Sequence, residues 1–193
     1  MPSGPTARTA VCLLAASILS GCGPTANLIV SQPEAPGAAG RMRLASRWAF
    51  FDTGETDRYL AGFPFPGAVA GDRQYVLYLV CEPGLGEKRI GDSGDRVWPR
   101  AAGFFIQERG RHAGLTRMTA GTVRVKRVPF AGRKRRKIEV AIQCDDGTVL
   151  SGQMRAVESL LELRDFQEGP HAADVAALAA DHRHGPPAHA GIR

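Results

Sequence analysis

The chain has one asparagine, Asn27, and no Cys-x-x-Cys pair among its four cysteines. The missing pair excludes a catalytic dithiol of the thioredoxin kind. No internal repeat is present, which excludes solenoid and propeller arrays. No strand–helix unit recurs, which argues against a parallel α/β sheet. The N-terminal apolar run, Ala10–Leu19, is about ten residues, against the ~20 that cross a bilayer as a helix. The 193 residues do not lack core material, since 44% are apolar, and their length suits one domain of ordinary size.

What the chain does have is positive charge, +6 overall with a pI near 9.5. Such a balance suits anionic surfaces such as lipid headgroups or cell-wall polymers. The N-terminus has the form of an export signal: Arg8, the short apolar run, then small residues. Export makes nucleic acid an unsuitable partner.

The exit of that signal reads Leu19-Ser20-Gly21-Cys22. This tetrapeptide resembles the lipobox of bacterial lipoproteins. The resemblance implies cleavage before Cys22, a diacylglycerol thioether on its sulfur, and an acylated new amino terminus. It implies a cell-envelope protein held on a membrane by lipid. In enterobacterial lipoproteins an aspartate after the cysteine marks inner-membrane retention. Gly23 here therefore favours the outer membrane, facing the periplasm. The resemblance covers residues 1–22 and implies nothing about the domain that follows.

Residues 1–21 are read as the signal, and 22–40 as anchor and flexible linker, punctuated by Pro24, Pro33 and Pro36. Residues 41–168 are read as a β-domain. Met42, Leu44, Trp48 and Phe50 alternate with Arg43, Ala45, Arg47 and Ala49 as one half-buried strand. Tyr75–Cys81 is continuously apolar and predicts a central strand buried on both faces. Phe104–Gln107 predicts a shorter strand. Val123 and Val125 give way to Val128 and Phe130 out of phase, which predicts a bulge near Lys126–Arg127. Ile138, Val140, Ile142 and Cys144 alternate cleanly, and Asp146-Gly147 predicts a tight type I′ hairpin to Thr148–Met154. Val157–Phe166 predicts a short helix. From Gly169 onward the composition is Ala, His, Gly and Pro, and residues 169–193 are read as a mobile tail. Six strands joined by turns predict an all-β fold, a small antiparallel sandwich or barrel.

Four groups of residues carry candidate chemistry. Cys81 and Cys144 remain after Cys12 and Cys22 are assigned to signal and lipid, and an exported pair predicts a disulfide. Closing a loop of about sixty residues would stabilise by ~4 kcal/mol on the chain-entropy model. Gly91-Asp92-Ser93-Gly94 resembles the nucleophile segment of trypsin-like serine proteases. In those the histidine precedes the serine, whereas the first histidine here is His112. Gly-Asp-Ser also resembles GDS-type esterases, and Asp181-His182-Arg183-His184 matches their Asp-x-x-His. Those enzymes need an asparagine for the oxyanion, and Asn27 is the only one. A hydrolase using Ser93, or a carboxylate such as Asp145 or Asp146, is thus the alternative to a non-enzymatic binding module. Ser93 lies in a long connection, Glu82 to Ala102, where Trp98 is read as pinning the loop to the core; Phe63 and Phe65 pose the same choice.

Arg133, Lys134, Arg135, Arg136 and Lys137 form the densest charge run, at the turn between two strands. A cationic hairpin tip, widened by Lys126 and Arg127, predicts binding of phosphate or carboxylate surfaces, weakening with salt. The partner expected is an anionic envelope polymer or a protein. Finally, His171, His182, His184 and His189 lie in the C-terminal segment, with loose metal capture as a third reading. They lack the spacing of a structural metal site, so neither a metal nor a cofactor is assigned.

Overall fold

The computed structural model describes residues 23–32, 40–64, 73–91, 100–109, 112–129 and 135–184. Ten strands and two helices follow in order. They are β1 (Thr25–Ser31), β2 (Arg41–Ser46), β3 (Ala49–Asp52), β4 (Asp57–Pro64) and β5 (Arg73–Cys81). Next come β6 (Gly86–Ile90), β7 (Ala101–Arg109), β8 (His112–Arg127), β9 (Arg135–Cys144) and β10 (Val149–Glu158). Helices α1 (Leu160–Gln167) and α2 (Ala172–His184) end the described chain.

Strands β3, β4, β5, β7, β8, β9 and β10 pair in a ring, a closed seven-stranded barrel. All pairs in it are antiparallel except the short parallel contact of β10 with β3, at Val157↔Phe50 and Glu158↔Phe51. Two strands carry more than the ring needs. Along one edge β10 pairs first with β1 and then, beyond Arg155, with β3. Along one edge β8 pairs first with β7 and then with β6. The wall is therefore extended by the β1–β2 hairpin on one side and by β6 on the other.

Alternation sets what fills the inside. Tyr75, Leu77, Leu79 and Cys81 of β5 point inward with Ile138, Val140, Ile142 and Cys144 of β9. Val76, Tyr78 and Val80 point outward, where Leu60, Phe104 and Ile106 join them in a second apolar cluster. Helices α1 and α2 cover that outer cluster with Leu163, Phe166 and Val175. This is why β5 is apolar on both faces, as its unbroken run predicts.

Several expectations are corrected. The strand expected over Met42–Phe50 is two strands, β2 and β3, broken at Arg47–Trp48. Leu44 faces the interior, while Trp48 and Phe50 pack against the outer cluster. The bulge expected near Lys126–Arg127 is not formed, since pairing with β9 is regular there; β8 shifts register instead between Met118 and Ala120. A bulge there lets Met118 and then Val123 and Val125 all face inward. Residues 23–40 are not all linker: Thr25–Ser31 is β1, paired on both sides, with Ala26, Leu28 and Val30 in the core. The connection from Glu82 to Ala102 contains β6. The hairpin after β9 is a three-residue loop, closed by Cys144 N–H to Thr148 O at 2.8 Å and Gly147 N–H to Cys144 O at 3.1 Å. Gly147 has φ 81°, the left-handed conformation such a loop requires.

The C-terminal segment is also not all tail. In α1 the buried face is Leu163 and Phe166, one turn apart, while Leu160 and Leu161 point to solvent. Tyr78 Oη accepts from Gln167 Nε2 at 2.9 Å, Gln167 Oε1 accepts from Arg58 at 3.3 Å, and Arg58 pairs with Asp52. That chain ties α1 to β3, β4 and β5. His171 is buried, its ring against Phe166 and its Nε2 3.3 Å from Glu108 Oε1. It anchors α2, whose alanine-rich face has little else than Val175 and Leu178 to bury.

Candidate binding surface

The pleat divides the basic run. Arg133 and Lys134 lie outside the described residues. Arg135, Arg136 and Lys137 open β9, so Lys137 faces outward and Arg136 turns inward, its guanidinium 5.8 Å from the Phe51 ring centre. The three described cations of the expected five are therefore shared between two faces.

Neighbouring strands replace what the run loses. Lys137 stands opposite Arg155 on β10 and opposite Lys126 on β8. These three form a cationic row across β8–β9–β10, and Arg155 in turn stands opposite Thr25 of β1. In the next row Glu139 accepts from Lys126 at 2.8 Å and Lys137 at 2.9 Å. The two lysines hold its carboxyl down at about 2. Arg124 pairs with Glu87 at 2.6 Å. Arg155, Arg127, Arg43 and Arg41 are exposed and make no ion pair among the described residues. Among the described residues the outer wall from β2 across β8 to β6 thus keeps a cationic excess after Glu87 and Glu139 are paired. Sequence reasoning missed Arg155, Arg41 and Arg43 because they come from strands distant in the chain.

This wall also holds a cavity of about 330 Å³, edged by Asn27, Ile29, Arg43, Glu139 and Gln153. Gly152, directly opposite Leu28 on β1, also lines it. A Cβ on Gly152 would meet the Asn27 carbonyl oxygen at 2.2 Å.

Charge is sorted along the barrel as well. The β8–β9 end carries Arg127, Arg135, Arg136 and Lys137. The β9–β10 end carries the Asp145–Asp146 turn, where Asp146 accepts from Thr148 N–H at 2.8 Å and Asp145 from Arg117 N–H at 3.1 Å. Those two carboxylates, considered above as catalytic acids, hold the turn together. Leu85, at 46% exposure, Leu160 at 57% and Leu161 at 72% also lie toward the basic end, with Glu55, Glu82 and Glu158 among them.

Inside that end, a buried polar group sits under the wall. Asp57 accepts from Tyr59 Oη at 3.2 Å and from Gly84 N–H at 3.1 Å. Lys88 is only 2% exposed, with its ammonium 3.5 Å from Pro83 O. Burial, and then Asp57, push the Tyr59 phenol and the Cys81 thiol upward. A phenol and a thiol pushed upward stay protonated, which suits packing rather than nucleophilic work.

The expected disulfide is not formed: Cys81 and Cys144 are free and buried. Cys81 ends β5 opposite Asp57, whereas Cys144 begins the acidic turn at the other end. A bridge needs Cα atoms within about 7 Å, which strands ending at opposite ends do not provide. Burial pushes Cys144 up to about 12.

Cys22, Ser93, Trp98, Phe65 and His189 fall outside the described residues, and the expectations for Ser93 and Cys22 lie there with them. Phe63 is inside the barrel at 1% exposure. Among the described residues no group of three His, Cys, Asp or Glu side chains is arranged to hold a metal. No described helix is long and apolar enough to cross a membrane. The fold and this wall define a closed β-barrel with one cationic, cavity-bearing side. Comparison with protein-family models, characterised proteins and solved structures finds no match.

Proposed function

We propose that this chain is a lipid-anchored, non-enzymatic binding module of the bacterial envelope, docking an anionic envelope partner on its basic wall. The anchor is Cys22, by its lipobox. The single observation that carries the docking is the cross-strand row Lys126–Lys137–Arg155, with Arg41 and Arg43 on the same wall nearer its other end and few acids opposed to them. Rows of cations on rigid strands present fixed charge at strand spacing, which suits repeating phosphates or carboxylates. That Asp145 and Asp146 are occupied in holding a turn supports a binding role over acid catalysis.

The test is retention of envelope components on the full chain at low and high salt, beside Lys126→Gln/Lys137→Gln/Arg155→Gln. Retention lost both in high salt and in the variant is the expected outcome. Retention equal in the variant and the parent overturns the docking assignment. Mass spectrometry of the exported chain settles the anchor: an unmodified Cys22 overturns it.

A further inference from the structure

The anchor, the cationic row and the exposed leucines converge on one end of the barrel. Thr25 opens β1 opposite Arg155, and Arg155 continues into Lys137 and Lys126. Cys22 precedes Thr25 by three residues, so an extended chain separates them by at most ~10 Å. The linker expected to lift the domain away is thus too short to do so. The β8–β9 end, with Arg127, Arg135 and Arg136, lies farther along the same direction. Leu85, in the connection from β5 to β6, and Leu160 and Leu161, directly after β10, are exposed there. The opposite end carries the Asp145–Asp146 turn. Toward the anchor lies the cationic row, and the leucines stand there among Glu55, Glu82 and Glu158, so it is the row that would seat on an anionic leaflet and the leucines that would meet its boundary.

We infer that the occupant of the row Lys126–Lys137–Arg155 is the anionic phospholipid headgroup layer of the membrane that holds the protein's own anchor, with Leu160, Leu161 and Leu85 touching the acyl boundary. This rests on the anchored-module reading above and gives it an orientation. Arg41 and Arg43, toward the far end of the wall, and the cavity beside Arg43 remain open to other envelope partners. With Glu139 shared between the two lysines, the row carries about two net charges. At roughly 1 kcal/mol per charge near an anionic surface, the seated orientation is favoured about thirtyfold.

The experiment is amide hydrogen exchange on the full lipidated chain, reconstituted in phosphatidylcholine vesicles with and without phosphatidylglycerol. Amides 160 and 161, at the start of the helix, precede its first intrahelical bonds and report contact directly. The expected result is slower exchange at 82–86 and 158–162 on the anionic vesicles only, reversed by high salt, with no change at 145–147. In Lys126→Gln/Lys137→Gln/Arg155→Gln the difference should vanish, and in Arg41→Gln/Arg43→Gln it should persist. Equal exchange on both vesicles, slowing at 145–147, or persistence in the triple variant overturns the inference. Protection of the same segments by a soluble polyanion, without vesicle protection, assigns the row to a polymer and overturns it too. Should the triple variant lose protection across Tyr75–Cys81, it has unfolded. Leu161→Glu, on an exposed position, then replaces it and must abolish the 158–162 effect. The mass of the same sample shows whether Cys22 is acylated. If it is not, flotation of the unanchored chain with anionic vesicles still decides the surface separately from the anchor.

Discussion

Replacing Phe166 with alanine tests whether the C-terminal helices belong to the folded unit. Phe166 is 7% exposed, with its ring 5.3 Å from Tyr78, 6.4 Å from Phe104 and 5.7 Å from His171. Burial of an aromatic ring stabilises by about 2–3 kcal/mol. Each favourable ring pair adds roughly 0.5–1.5 kcal/mol, and buried Phe→Ala changes cost about 3–5 kcal/mol. The outer cluster is roofed by only two helices and can partly collapse, so the low end applies, about 3 kcal/mol. For a chain of this size that lowers Tm by about 6–12 °C. A urea melt followed by tryptophan fluorescence reads it, since Trp48 packs against the same cluster. Leu161→Ala, at 72% exposure on the same helix, is the control and should change stability by less than about 0.5 kcal/mol. A Phe166→Ala loss below about 1 kcal/mol, or equal losses in both variants, would refute the docking of α1 on the barrel.

Three further outcomes follow from the same geometry. Gly152→Ala places a Cβ 2.2 Å from the Asn27 carbonyl oxygen and 2.9 Å from Leu28 Cα, both backbone, so it should cost more than about 3 kcal/mol in a denaturant melt; tolerance would mean β1 is not seated on β10. Under non-reducing conditions a thiol-reactive label should leave Cys81 and Cys144 untouched in the native chain and modify both after unfolding, whereas a disulfide would leave both unlabelled throughout. Glu139, its carboxyl held down to about 2 by Lys126 and Lys137, should stay ionised through the ordinary carboxylate range; its contribution is present above that range and lost only as pH falls toward 2, and an NMR titration of Lys126→Gln/Lys137→Gln should bring its midpoint back up.

The local pattern was enough for much of the wall. Strict alternation marked β9, unbroken apolarity marked β5 as buried on both sides, and Asp146-Gly147 marked the hairpin, because side chains of a strand point alternately to two faces whatever lies beyond. The resemblance of Leu19-Ser20-Gly21-Cys22 to a lipobox likewise needs no fold to be read. Other features depended on neighbours distant in sequence. Ala26, Leu28 and Val30 alternate, but among prolines and glycines their signal showed only once β10 and β2 offered edges to pair with. The alanine-rich α2 gained its place from His171 and Val175 meeting a cluster built by β5 and β7. The separation of Cys81 from Cys144 follows from the order in which strands close the ring, which no local spacing encodes. Charge shows the division most plainly. The sequence by itself determined that five cations stand together. Only the tertiary structure decided that Arg136 turns in over Phe51 and that Lys137 joins Lys126 and Arg155, because register, set by hydrogen bonds between strands, chooses which side chains share a surface.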